Sequence, residues 1–210
     1  MNRKVFQGLY CITAEKYSRG RSNIETAEAI INAGVKILQY REKEKSNGDK
    51  YYECLKLRAM TRQNNVLFIV NDNVDIAIAV GADGVHIGQE DLPVEIVRTL
   101  VGDEMIIGVS THSPNQALEA ACKGADYIGV GPIYPTKTKA DVCRAVGIEY
   151  LDYVVKNISI PYVAIGGIKI HNIQEILKHG AKCIAMVTEI VSAPDINVRI
   201  NEVTKLMKLR

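Results

Sequence analysis

The sequence lacks the features that would put it in a specialised class. Its 26 Lys and Arg residues against 24 Asp and Glu leave a formal charge of only +2. So small an excess gives no general pull on nucleic acid or membrane surfaces, and any bound anion must be held by a local cluster. No stretch reaches the roughly 20 apolar residues of a membrane-spanning helix. Charges return within about ten positions of the short basic lead Met1–Lys4, so no secretory signal is expected. Four histidines never fall in HExxH spacing, which argues against a histidine-ligated metal. Cys11, Cys54, Cys122, Cys143 and Cys183 are odd in number, scattered and without a CxxC pair. That favours small, buried, reduced thiols in a cytoplasmic protein over a disulfide framework or a zinc site. No Pro/Gly/Ser-rich linker or low-complexity tract divides the chain. With 47% hydrophobic and 24% charged residues, positions 1–210 are expected to form a single globular domain.

What is present is a rhythm. Eight Val- and Ile-rich runs recur: Gly8–Thr13, Ile37–Arg41, Leu67–Asn71, Gly84–Ile87, Ile106–Ser110, Tyr127–Gly131, Tyr162–Gly167 and Cys183–Thr188. Most are apolar on consecutive residues, as parallel strands covered on both faces require. Amphipathic segments separate them, several closing at glycine: Ile24–Ala33 before Gly34, Val74–Val80 before Gly81, and Asn172–His179 before Gly180. Ser113-Pro114-Asn115-Gln116 predicts a capped helix start with a capping box. Alternating strands and helices imply right-handed βαβ units and a parallel sheet. Eight units in 210 residues leave about 26 residues each, which suits a compact (β/α)8 TIM barrel, an α/β fold. An open doubly wound sheet usually carries a glycine-rich first turn, and AEKYSRGRS after Thr13 is not GxGxxG.

In such a barrel, chemistry belongs at the C-terminal strand tips and the loops beyond them. Strand two ends in Gln39-Tyr40-Arg41-Glu42-Lys43, strand three in Asn71-Asp72, and strand four leads to Asp91. Strand five ends at Ser110, strand six runs into Thr136-Lys137-Thr138-Lys139, strand seven ends in Gly166-Gly167, and strand eight in Val187-Thr188. The rim thus collects bases, hydroxyls and two carboxylates, an inventory for anions and a hard cation. A guanidinium such as Arg41 matches phosphate geometry, and Lys43 supplies a movable point charge or simply joins the solvated run after it. Asp72 and Asp91 each suit a helix cap, but neighbouring strand tips also bring two carboxylates to one ion. Mg²⁺ takes one or two carboxylates and fills its shell with water and phosphate oxygens. The Thr136–Lys139 loop reads either as exposed and polar or as a stiff phosphate clamp, and Lys137 as the member pointing away. The glycine pair permits close backbone approach to a ligand, or merely a tight turn. His86 and His112 have no paired acid or nucleophile and read as a satisfied strand residue and a loop residue.

QYREK (39–43), NDNVDIAIAVGADGVHIGQEDLP (71–93), IIGVSTHS (106–113), GADYIGVGPIYPTKTK (124–139), VAIGGI (163–168) and GAKCIAMVTEI (180–190) occur in order along nearly the whole chain. Together they resemble the thiamine-phosphate synthase family, also called thiamine-phosphate pyrophosphorylases. The resemblance implies a (β/α)8 barrel that joins a hydroxymethylpyrimidine diphosphate to a thiazole phosphate, carboxylated or not, and releases pyrophosphate with Mg²⁺. It assigns Gln39, Tyr40, Arg41, Glu42, Lys43, Asn71, Ser110 and Lys139 to the pyrimidine diphosphate. Of these, Arg41, Lys43, Ser110 and Lys139 are expected to act on the leaving group. Asp72 and Asp91 are assigned to Mg²⁺, and Thr136, Lys137, Thr138, Gly167, Val187 and Thr188 to the thiazole phosphate. Thr188 stands where the family usually has Ser, and Tyr40 where it usually has Leu. Implied partners are the two small-molecule substrates and at most further copies of the same chain, with neither nucleic acid nor membrane. A related thiazole tautomerase needs neither diphosphate nor metal, so the basic and acidic rim residues argue against that activity. A non-catalytic thiazole-phosphate binder is the other alternative.

Overall fold

The computed structural model of the chain describes residues 6–136, 138 and 143–208. Strands β1 (Gly8–Ile12), β2 (Ile37–Tyr40), β3 (Leu67–Asn71), β4 (Gly84–Ile87), β5 (Ile106–Thr111), β6 (Tyr127–Val130), β7 (Tyr162–Ala164) and β8 (Cys183–Met186) pair in that order. Each pair is parallel, and β8 returns to β1 to close the barrel. Helices α1 (Asn23–Asn32), α2 (Asn47–Gln63), α3 (Val74–Val80), α4 (Val94–Val101), α5 (Pro114–Cys122), α6 (Gly147–Asn157) and α7 (Ile173–Lys178) connect successive strands. α8 (Thr188–Val191) and α9 (Ile196–Lys208) follow β8. Among the described residues, no helix is long and apolar enough to cross a membrane.

Both faces of the strands are buried, which is why the apolar runs do not alternate. Leu38, Phe68, Val85, Ile107 and Ile128 pack outward against helical residues such as Ile30, Leu57 and Leu151. A smaller cluster of Tyr10, Ile12, Ile37, Ile69, Tyr127, Val163 and Cys183, joined by Phe6, fills the barrel interior. Gly108 makes this filling possible, since a Cβ there would lie 2.1 Å from the Tyr127 ring. Two buttresses repeat on the outside. Arg58 clamps Asp83 with two 2.8 Å bonds, and Arg98 meets Asp126 at 2.6 Å. Each aspartate also accepts a strand N–H, from Phe68 and Ile107 respectively, at 2.8 Å.

Two local expectations shift. Ser113 Oγ accepts the Gln116 N–H, but the Gln116 side chain accepts from the His112 N–H at 2.7 Å, one residue earlier than a capping box predicts. β7 stops at Ala164 because Gly166 and Gly167 turn to φ +96° and +65°, a region only glycine enters without strain. Cys11, Cys54 and Cys183 are buried as expected; Cys122 and Cys143 are exposed. Burial pushes the Cys54 thiol up to about 12, so that residue behaves as a packing group.

Candidate active site

The barrel mouth at the C-terminal strand ends opens into one cavity of about 1260 Å³. Its lining includes Gln39, Arg41, Lys43, Asn71, Asp72, Asp91, Ser110, Thr136, Thr138, Gly167, Val187 and Thr188, so residues spread over 150 positions meet in one space. Lys137 and Lys139 lie outside the described residues.

One side of the mouth carries charge. The Arg41 backbone N–H donates to buried Thr13 Oγ1 at 3.0 Å, which fixes the end of β2. Among the described residues, no carboxylate pairs with the Arg41 guanidinium, so its fork remains available to an anion. Lys43 forms an ion pair with Asp72. Asp72 has φ +61°, the left-handed region that aspartate enters at modest cost, and its N–H donates to the His86 carbonyl at 2.9 Å. Asp91 folds back across its turn to accept the Gly88 N–H at 2.7 Å. Burial pushes the Asp91 carboxyl above the usual carboxylate range. The charge and hydrogen-bonding contact of Asp72 push it the same way, against the Gly88 N–H and Lys43. Two carboxylates facing each other beside a single lysine are short of positive charge. Among the described residues, no group of three or more His, Cys, Asp or Glu gathers to complete a metal shell.

The Tyr40 and Glu42 side chains turn away from the cavity. β2 places Gln39 at the cavity, and the following side chain emerges on the helix-covered face, where the Tyr40 hydroxyl donates to Glu53 Oε2 at 2.7 Å. Glu42 is spent on its own loop: it accepts the N–H groups of Lys43 at 2.7 Å and Glu44 at 2.9 Å, and the Asn23 amide at 3.1 Å. Burial opposes its ionisation, but these donors outweigh burial and hold Glu42 below the ordinary range. Lys45 bridges Glu15 and Glu53 at 2.6 Å each. Neither Tyr40 nor Glu42 lines the cavity; both fix the loop that presents Arg41 and Lys43.

The opposite side of the mouth is built from the last strands. The Ile133 and Tyr134 N–H groups donate to the Ile165 and Gly166 carbonyls at 2.9 and 3.0 Å, zipping the loop after β6 onto the end of β7. That loop brings Thr136 and Thr138 to the cavity with their hydroxyls 3.1 Å apart. Lys169 was not anticipated. It follows the glycine pair, lines the cavity, and donates to Thr188 Oγ1 at 3.0 Å with Glu189 at 3.4 Å. A cation two residues beyond a Gly-Gly strand tip was the available signal. Gln89 also reaches the rim, its amide donating to the Ser110 carbonyl at 2.6 Å.

The thiamine monophosphate synthase family matches residues 9–190. A thiamine-phosphate synthase of Pelotomaculum thermopropionicum is 64% identical over 91% of this chain and 88% of its own. One from Lawsonia intracellularis is 57% identical over 96% and 93%. Among solved structures, a thiamine phosphate pyrophosphorylase from Pyrococcus furiosus superposes with a TM-score of 0.89 at 36% identity, covering 98% of this chain and 97% of that one. With a superposition over nearly the whole chain and a family match that runs from β1 into α8, the chain belongs to the thiamine monophosphate synthase family.

Proposed function

We propose that the chain is a thiamine-phosphate synthase, a transferase that joins a hydroxymethylpyrimidine diphosphate to a thiazole phosphate and releases pyrophosphate. The observation that carries this reading is the gathering of Arg41, Lys43, Asp72 and Asp91 on one side of the cavity and Thr136, Thr138 and Thr188 on another. That arrangement suits two phosphorylated ligands.

The reaction needs little acid–base work from protein. The C–O bond between the pyrimidine methylene and the diphosphate breaks, its electron pair leaving with pyrophosphate. The thiazole nitrogen lone pair then forms the new C–N bond, and the ring becomes cationic. An electron-rich pyrimidine can carry positive charge on the methylene, which favours a dissociative course. Arg41 and Lys43 neutralise charge as it grows on the departing oxygens. Lys139 belongs to the same proposed set, and Asn71 and Ser110 supply neutral hydrogen bonds. The threonines, with Gly167, Val187 and, by its backbone, Lys137, hold the thiazole phosphate so that attack follows from proximity.

Asp72 and Asp91 fit a Mg²⁺ ion. Their mutual contact and the raised Asp91 carboxyl mark a place where added positive charge lowers the energy. Asp72 and Asp91 would hold the ion, with water and substrate oxygens free to complete its shell. Bound there, the ion would supply charge neutralisation for the leaving diphosphate. The proposal includes a cytoplasmic location, supported by the free cysteines.

A coupled pyrophosphate-release assay with both substrates tests the reading. Release that requires both substrates and Mg²⁺ is expected. Binding of thiazole phosphate without release would identify a binding protein instead.

A further inference from the structure

A chain of hydrogen bonds crosses the barrel floor beneath the cavity, linking Gln39 on β2 to Ser110 on β5, two proposed diphosphate ligands. The Gln39 amide Nε2 donates to the Tyr10 hydroxyl at 2.8 Å. The Tyr10 and Tyr127 oxygens are 2.9 Å apart. Tyr127 lies 2.9 Å from His86 Nδ1, and His86 Nε2 lies 2.9 Å from Ser110 Oγ.

The direction of this chain follows from counting protons. An amide NH₂ can only donate, so Tyr10 accepts from Gln39. Tyr10 is 1% exposed and its own O–H proton needs an acceptor. The Tyr127 oxygen is the partner at hand. Tyr127, fully buried, must then spend its proton on His86 Nδ1. Nδ1 is thereby an acceptor, and the neutral imidazole carries its proton on Nε2. That N–H points to Ser110 Oγ, which accepts it and keeps its own proton for another oxygen. Burial holds both tyrosines protonated far above neutral pH, so neither drops out of the relay. The opposite polarity would make Ser110 donate to the histidine and leave the buried Tyr10 proton to find another acceptor.

We propose that His86 is a positioning residue: fixed as the Nε2–H tautomer by the Gln39–Tyr10–Tyr127 chain, it turns Ser110 into a hydrogen-bond donor aimed at an anionic phosphate oxygen. This inference rests on the reading of Ser110 as a diphosphate ligand. It adds that a residue held on β4 and buried tyrosines on β1 and β6 decide which way that hydroxyl works.

Two measurements test it on the full-length chain. In the ¹⁵N spectrum of the ligand-free protein, His86 should show a protonated Nε2 and an unprotonated Nδ1, its signals assigned by their loss in His86→Gln. A protonated Nδ1 in the neutral ring overturns the proposal. The second measurement is calorimetric binding of inorganic pyrophosphate with Mg²⁺. Tyr127→Phe removes the donor to Nδ1 and should weaken binding roughly tenfold, the fold-change of one hydrogen bond to a charged system. Thiazole-phosphate affinity should stay near that of the parent, while the melting temperature falls by several degrees because the buried Tyr10 proton loses its acceptor. His86→Gln, which retains an N–H donor, should recover to within about threefold, whereas His86→Leu should not. Equal losses for both ligands, or Gln no better than Leu, would show a structural role only and overturn it. Failure of the chain to release pyrophosphate would sink the functional reading while leaving the tautomer to be decided by the spectrum.

Discussion

Gly166→Ala probes how the two halves of the mouth are joined. A Cβ at this position would lie 2.4 Å from both Cα and Cβ of Pro132 and 3.2 Å from the Ile133 nitrogen. Backbone and a proline ring cannot swing aside, so the loop after β6 must move as a unit. Overpacking of this kind costs roughly 1–3 kcal/mol. An alanine forced to φ +96° adds about 1–2 kcal/mol. Together they predict a loss of about 2–5 kcal/mol, or about 4–20 °C in melting temperature at 2–4 °C per kcal/mol for a chain of this size. Because the same loop carries Thr136 and Thr138, KM for the thiazole phosphate should rise well above any change in KM for the pyrimidine diphosphate. Thermal denaturation followed by circular dichroism and steady-state kinetics with each substrate varied read both effects. A variant that melts with the parent and keeps both KM values would refute the zipped-loop description.

Further expectations concern the charged side. Arg41→Lys keeps the charge but loses the planar fork, so kcat/KM for the pyrimidine diphosphate should fall about 10–100-fold with little change in melting temperature. Kinetics within twofold of the parent would remove Arg41 from diphosphate recognition. The raised Asp91 carboxyl binds its proton more tightly folded than unfolded, so its contribution favours folding at low pH. In the metal-free protein that contribution is lost as pH rises from the ordinary carboxylate value through Asp91's raised one. Asp91→Asn should flatten this part of the stability–pH curve and melt higher than the parent at neutral pH without metal. A variant melting lower there would mean that the Gly88 hydrogen bond outweighs the repulsion from Asp72.

The barrel was legible because both faces of its strands are covered: runs such as Leu67–Val70 stay apolar throughout, and glycines close several of the helices between them. The charged rim was legible for the converse reason, since Arg41, Asp72 and Ser110 interrupt those runs where the strands end. The same double burial hid which side of β2 faces inward. With all four residues of β2 buried, Ile37–Tyr40 shows no period-2 pattern, so Gln39 at the cavity and Tyr40 on Glu53 could not be told apart. The Tyr10–Tyr127 contact joins residues 117 positions apart, beyond any local motif, and only barrel closure brings them together. Glu42 carries the right chemistry for a rim ligand, but three nearby donors claim it first.

The central claim is that two strand-tip carboxylates recruit a divalent ion to a cation-rich mouth where diphosphate departs. Calorimetric titration of Mg²⁺ into the pyrophosphate-loaded chain tests it most directly, comparing the parent with the Asp72→Asn, Asp91→Asn double variant. The parent should take up Mg²⁺ beyond what free pyrophosphate binds, and the folded double variant should not; equal uptake by the two would contradict the account.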